Sequence, residues 1–145
     1  MKYLTYAEYI GYGGSLDETA FNDLEYEARM YIDWYTFRRL HAPDTKITDE
    51  VKECMYHLMK IIQNRLDALN IPVDGDGVSS SIGAGIASQS NDGVSISYNV
   101  LSAKEVIDAS SKELDEAINR YLQGMRNSLG HRLLFRGIYP GEEVY

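Results

Sequence analysis

The chain has 145 residues, a single cysteine (Cys54), and 14 basic against 22 acidic side chains, a formal net charge of −8. That length suits one domain that buries its own core, a lone cysteine excludes an internal disulfide, and the acidity excludes a chain-wide basic footprint for nucleic acid. No apolar run approaches the roughly 20 residues that span a bilayer, and the opening MKYLTYAEYI lacks the apolar core of a signal peptide, so a soluble, non-secreted protein is expected.

Residues 3 to 10 predict a short helix, capped by Thr5 and stopped by the glycines of GYGG at 11 to 14. Ser15 and Glu18 then stand at capping-box spacing, and Phe21, Leu24, Ala28, Ile32 and Tyr35 recur every three or four residues. This predicts a long helix over about residues 16 to 40, with Arg38-Arg39 at its end, where cations suit the helix dipole. A further helix is expected from Thr48, its stripe formed by Val51, Cys54 or Met55, Leu58, Ile61 or Ile62, Leu66 and Leu69. Asn70 can cap it and Pro72 forbids continuation.

Residues 72 to 101 change character: they are rich in Gly, Ser and Asp and contain no Lys, Arg or Glu. Val94, Ile96, Tyr98 and Val100 share one parity, and Asn91-Asp92-Gly93 supplies turn chemistry, so a β-hairpin is expected within about 76 to 100. Ser102 with Glu105 forms another capping box, opening a helix through Leu114, Ile118 and Leu122. Its stripe thins at Ser110-Ser111, where a break is expected, and Gly130 is the expected stop. A tail over about 131 to 145 is apolar at Leu133, Leu134, Phe135 and Ile138. The fold class is therefore mainly α: one domain, a small helical bundle with one inserted β-hairpin and an extended C-terminal tail.

A two-stranded ribbon is marginal alone, and serines give its edge little charged protection. The ribbon and the tail either close the chain's own core or reach a neighbour, and the residues alone leave both open. The 12 tyrosines fit contact surfaces and core cover equally well.

Sites for chemistry are few. Asp74-Gly75-Asp76-Gly77 lacks the later oxygen donors of a calcium loop, and Gly83-Ala84-Gly85 lacks the third glycine and the helix of a dinucleotide fingerprint. Cys54 and His57 stand three apart, but zinc needs three or four ligands and a thiol nucleophile needs an oriented base. A small buried cysteine beside a partly exposed histidine is the expected outcome. The acids Asp17-Glu18 and Glu142-Glu143 read as caps and solvated charge. No catalytic, cofactor or metal residue is assigned, and an enzyme is not expected.

Three stretches in order carry a resemblance. EYIGYGGSLDETAFNDLEYEARMYIDWYTFRRL (8 to 40), SQSNDGVSISY (88 to 98), and Tyr121-Leu122 followed by Leu134-Phe135-Arg136-Gly137-Ile138 together resemble the small head–tail connector (head-completion or adaptor) proteins of tailed bacteriophages and prophages. The last run stands where the family has Leu-Leu-Tyr-Arg-Gly-Val, with Phe135 in place of Tyr. The resemblance implies a non-enzymatic, cofactor-free protein that closes head to tail into rings of about twelve copies. Such a ring sits at the virion neck beneath the portal protein, extends the DNA channel without sequence-specific binding, and offers a platform to the next neck or tail-completion protein. Assembly would take place in the host bacterial cytoplasm, with no membrane partner. Under this reading the interface residues are Ile86, Ser88, Val94, Ile96 and Tyr98 on the ribbon, and Leu134, Phe135, Arg136 and Ile138 on the tail. The alternative is a small regulatory DNA-binding helical protein, which requires a compact basic patch around Arg38-Arg39.

Overall fold

The structure, a computed structural model, describes residues 1–69, 88–91, 94–97 and 102–143. The chain is mainly helical: α1 (Tyr6–Gly11), α2 (Glu18–Tyr35), a short 3-10 turn (Arg39–His41), α3 (Asp49–Leu69) and α4 (Ala103–Leu122). It divides into two compact units, Met1–Lys60 with Leu114–Tyr145, and Ile61–Glu113. In the second unit β1 (Ser88–Asn91) and β2 (Val94–Ser97) pair antiparallel, Ser88 opposite Ser97 and Asn91 opposite Val94. The rest of the expected hairpin region, including the acidic glycine turn at 74 to 77, lies outside the described residues, as do the expected cap Asn70 and Pro72.

Local capping chemistry explains where the helices begin. Thr5 accepts from the Glu8 amide while the Glu8 carboxylate accepts from the Thr5 amide, a complete capping box for α1. Ser102 and Glu105 do the same for α4. The expected box at Ser15 is not used. Asp17 caps α2 instead, accepting from the Ala20 amide at 2.8 Å, so the helix starts two residues later than its pattern suggested. α4 runs unbroken through Ser110-Ser111, with the Ser110 hydroxyl donating back to the Ile107 carbonyl at 2.9 Å. It stops at Leu122, before Gly124 at φ +82°, and not at Gly130.

The helical stripes are buried as their spacing requires: Phe21, Leu24, Ala28 and Ile32 on α2, Val51, Cys54, Met55 and Leu58 on α3, and Leu114, Ala117, Ile118 and Leu122 on α4. Helix α1 joins the first two, with Tyr9 packing on Phe21 at 5.1 Å and on Tyr56 at 5.8 Å, while Lys52 reaches Glu8 at 2.6 Å. Gly14 is required here, because a Cβ would stand 2.1 Å from the Tyr9 ring.

Two buried acids on α2 interrupt the hydrophobic pattern, and both hold the N-terminal segment. The Tyr3 amide donates to Glu25 at 3.1 Å, and the Tyr3 hydroxyl donates to Asp33, whose two oxygens also face His41 Nε2 at 3.1 Å. Burial, with the Asp33 bond, pushes the Tyr3 phenol far above its usual range, so it stays a donor.

The end of α2 departs most from expectation. The helix stops at Tyr35 rather than near residue 40, and Phe37 and Arg38 turn the chain with left-handed backbones at φ 52° and 58°. Each non-glycine residue in that conformation costs roughly 1–2 kcal/mol. The turn sends Arg39 inward. Expected as a cation at a helix end, Arg39 is instead among the most deeply buried side chains. Nε and Nη2 grip both oxygens of Glu142 at 2.5 and 3.1 Å. The remaining donors go to the carbonyls of Arg132, Leu133, Phe135 and Gly137. A guanidinium has five N–H donors, and this site uses the whole fork. Phe37, Phe135 and Tyr139 surround it with ring centroids 5.2 to 5.9 Å from Cζ. Glu142, expected as solvated charge, is the clamp's counter-ion.

Residues 131 to 143 are thus folded through turns around one side chain of their own unit. Asn127 shapes the approach, accepting from the amides of Leu129 and His131 and donating to the Arg39 carbonyl. Leu133 is fully buried.

Removing Arg39 strands a buried carboxylate and four carbonyls. Arg39→Ala is therefore expected to cost about 3–5 kcal/mol in urea denaturation. Arg39→Lys should also destabilise, because an ammonium has three donors and no planar fork. A loss below about 1 kcal/mol for Arg39→Ala would count against the clamp.

The hydrogen bonds from Arg39 hold the Glu142 carboxyl at about 2, below the ordinary 4.5. A depressed folded-state pKa stabilises above the ordinary carboxylate range, and the contribution is lost as pH falls from 4.5 toward 2. Glu8, held down to about 2 chiefly by Lys52, acts in the same window. Glu142→Gln should therefore lose less melting temperature than wild type between about pH 5 and pH 2, while being less stable at neutral pH.

Candidate functional site

The clamp has an outer surface. With the tail pinned beneath the end of α2, the two enclose an open groove of about 660 Å³, lined by Met30, Asp33, Trp34, Tyr35, Phe37, Arg38 and Arg39, and by Arg136, Gly137, Ile138, Glu142 and Glu143. Its apolar groups are unusually open to solvent: Trp34 is 74% exposed, Phe37 51% and Ile138 83%. A contiguous exposed apolar patch rimmed by charge is the usual mark of an interaction surface.

Helix α2 makes this surface by carrying two stripes. The first, through Phe21, Ala28 and Ile32, is buried in its own unit. The second, Tyr26, Met30 and Trp34 at steps of four and then Phe37, faces outward and is exposed at every position. Trp34 meets Tyr35 edge-on at 5.1 Å. Tyr35 in turn bonds Asp115 of α4; burial first, then that bond, raises its phenol pKa. Gly137 admits the Phe135 ring, which would stand 2.6 Å from a Cβ.

The polar groups of the groove divide into occupied and exposed. Asp33 is tied to Tyr3 and His41, and Glu142 to Arg39. Arg38 and Arg136 are exposed at the rim together with Glu143.

The tail residues named from the sequence meet here. Ile138 and Arg136 line the groove. Leu134, Phe135 and Arg136 line a second recess with Asn119, Gln123 and Arg132. Of the ribbon residues, Ser88, Val94 and Ile96 belong to strands of the other unit, and Ile86 and Tyr98 lie outside the described residues. Sequence reasoning missed Met30, Trp34 and Phe37. Their spacing was the available signal, a second helical stripe opposite the first.

The basic patch required by the alternative reading is not formed by Arg38-Arg39 as a pair, because Arg39 is buried and turned away from solvent. Cys54 is buried, whereas His57 is exposed with its ring against Tyr121 at 5.9 Å. Neither lines either recess. Burial alone pushes the Cys54 thiol up to about 12, leaving almost no thiolate at neutral pH. Among the described residues, no group of three or more His, Cys, Asp or Glu side chains is placed to hold a metal ion. No described helix is long and apolar enough to cross a membrane.

Cys54 should accordingly resist a thiol reagent such as dithionitrobenzoate in the native chain and react in full once the chain is unfolded in urea. Rapid native reaction would place the thiol in a different environment.

No protein-family model, curated protein or solved structure matches the chain.

Proposed function

We propose that the chain is a structural protein that works by association: a head–tail connector of a tailed bacteriophage or prophage, assembling as a ring at the portal vertex, joining head to tail and extending the DNA channel. The observation that carries this reading is the open apolar groove held in shape by the Arg39–Glu142 clamp. A groove with a half-exposed phenylalanine and a largely exposed tryptophan and isoleucine is the kind of apolar patch that marks a contact site. The resemblance of residues 8 to 40, 88 to 98 and the Leu-Phe-Arg-Gly-Ile run supports the same reading, because Arg136 and Ile138 of that run line the groove.

In this role the tail and the inserted ribbon complete neighbouring copies or the adjoining ring. The ribbon's edge offers unpaired backbone groups and the tail offers Ile138. The partners are other copies of the chain, the portal protein and the next neck or tail-completion protein. DNA passes without specific contact, since an acidic chain of net charge −8 opposes phosphate binding. The work is done by surfaces, without catalysis or a cofactor.

Mass photometry of the purified full chain, alone and mixed with its portal protein, tests the reading. Discrete closed oligomers are expected in at least the mixed sample. A chain that stays monomeric in both, with no binding to the portal, would sink it.

A further inference from the structure

Two exposed surfaces of the Met1–Lys60/Leu114–Tyr145 unit are complementary. We infer that they are the two halves of one head-to-tail contact between copies: the groove at the end of α2 on one copy receives the Ile10–Tyr12 corner of the next. This rests on the self-association reading and names the surfaces that would carry it.

The corner lies at the end of α1, where Gly13, at φ +93°, turns the chain. Ile10 is 45% exposed and Tyr12 37%, an apolar knob of the size a groove of about 660 Å³ can take. Tyr12 does not move freely, because its ring stacks on Tyr56 at 5.5 Å. Burial, then the nearby charges of Glu53 and Asp49, raises the Tyr12 phenol above its ordinary value. Both acids are exposed; Lys52 beside them is drawn to Glu8 at 2.6 Å and stands 4.0 Å from Asp49, one cation among three carboxylates. The knob is therefore flanked by negative charge. The groove is the reverse: its acids Asp33 and Glu142 are engaged, and its exposed rim carries two cations, Arg38 and Arg136, against Glu143. Apolar surface meets apolar surface, and cations meet acids.

Position along α2 determines the kind of symmetry. Tyr6 and Tyr9 hold α1 against Phe21, in the first turn of α2, whereas Trp34 is in its last. The 13 steps from Phe21 to Trp34 span about 20 Å at 1.5 Å per residue. Knob and groove thus occupy opposite ends of one helix. A contact between different patches is heterologous, and repeats until it closes a ring or extends as a filament.

Trp34 is the chain's single tryptophan and lines the groove, so its emission reports the contact directly. The full chain, alone and with portal, would be followed by mass photometry and Trp34 fluorescence over a concentration series. Assembly should come with a blue shift of Trp34 emission. Ile10→Asp, at an exposed position, should weaken assembly at least about tenfold with unchanged circular dichroism. Arg136→Glu should also weaken it, and Glu53→Arg added to the same chain should restore part of the loss. If copies assemble while Trp34 emission stays fixed, or Ile10→Asp assembles like wild type, the inference fails and the connector reading stands. A Trp34 shift on adding portal without a shift on self-assembly gives the groove to another partner and also overturns it. Absence of any assembly or portal binding overturns both.

Discussion

The fold of the first unit turns on one buried guanidinium. Arg39 joins a residue just past α2 to a segment about a hundred positions later, through a bidentate ion pair with Glu142 and four main-chain carbonyls. A tail without helix or sheet ladder has many backbone acceptors to satisfy. Arg39 satisfies four of them at a single point. Burying such a charge is expensive, and it is tolerated only because every donor of the fork is used and the counter-ion is present. The two left-handed residues before it, Phe37 and Arg38, belong to the same device: their strained backbones aim Arg39 inward.

The clamp links packing to surface. By pinning residues 132 to 142 under the end of α2, it sets Ile138 opposite Trp34 and Phe37 across an open groove. The groove could not be shaped by α2 alone, since one of its walls is tail. A helix with two apolar stripes has one to bury in its own core and one to offer outward. In α2 the second stripe coincides with the strained turn, so the residue that points out, Phe37, adjoins the one that points in. The same turn that completes the unit's interior therefore also shapes one wall of the exposed groove.

The other buried polar groups serve positioning. Glu25 and Asp33 hold the N-terminal segment through Tyr3, and His41 shares Asp33 with it. Every one of these bonds holds chain to chain within the unit, and the thiol of Cys54 is buried and protonated. What the described residues leave exposed at the groove is shape, apolar surface and a few rim charges.

Much of this was legible in advance. Helical spacing placed the buried stripes of α2, α3 and α4, and Thr5 alone, and Ser102 with Glu105, marked helix starts, because caps and periodicity are local and reach no further than four residues. The tail residues Arg136 and Ile138 were singled out and do line the groove. Illegible were the stop of α2 at Tyr35, the inward turn of Arg39, the burial of Glu142 and the exposure of the second stripe, Met30, Trp34 and Phe37, of which only the spacing was visible. Each depends on partners far along the chain: an Arg-Arg pair after a helix reads as solvated charge until a distant carboxylate and four carbonyls are brought to it. The sequence by itself determined which segments are helices and which faces of them are apolar. Only the tertiary structure decided which apolar face is covered and which charge is buried, because burial depends on what the rest of the chain places opposite.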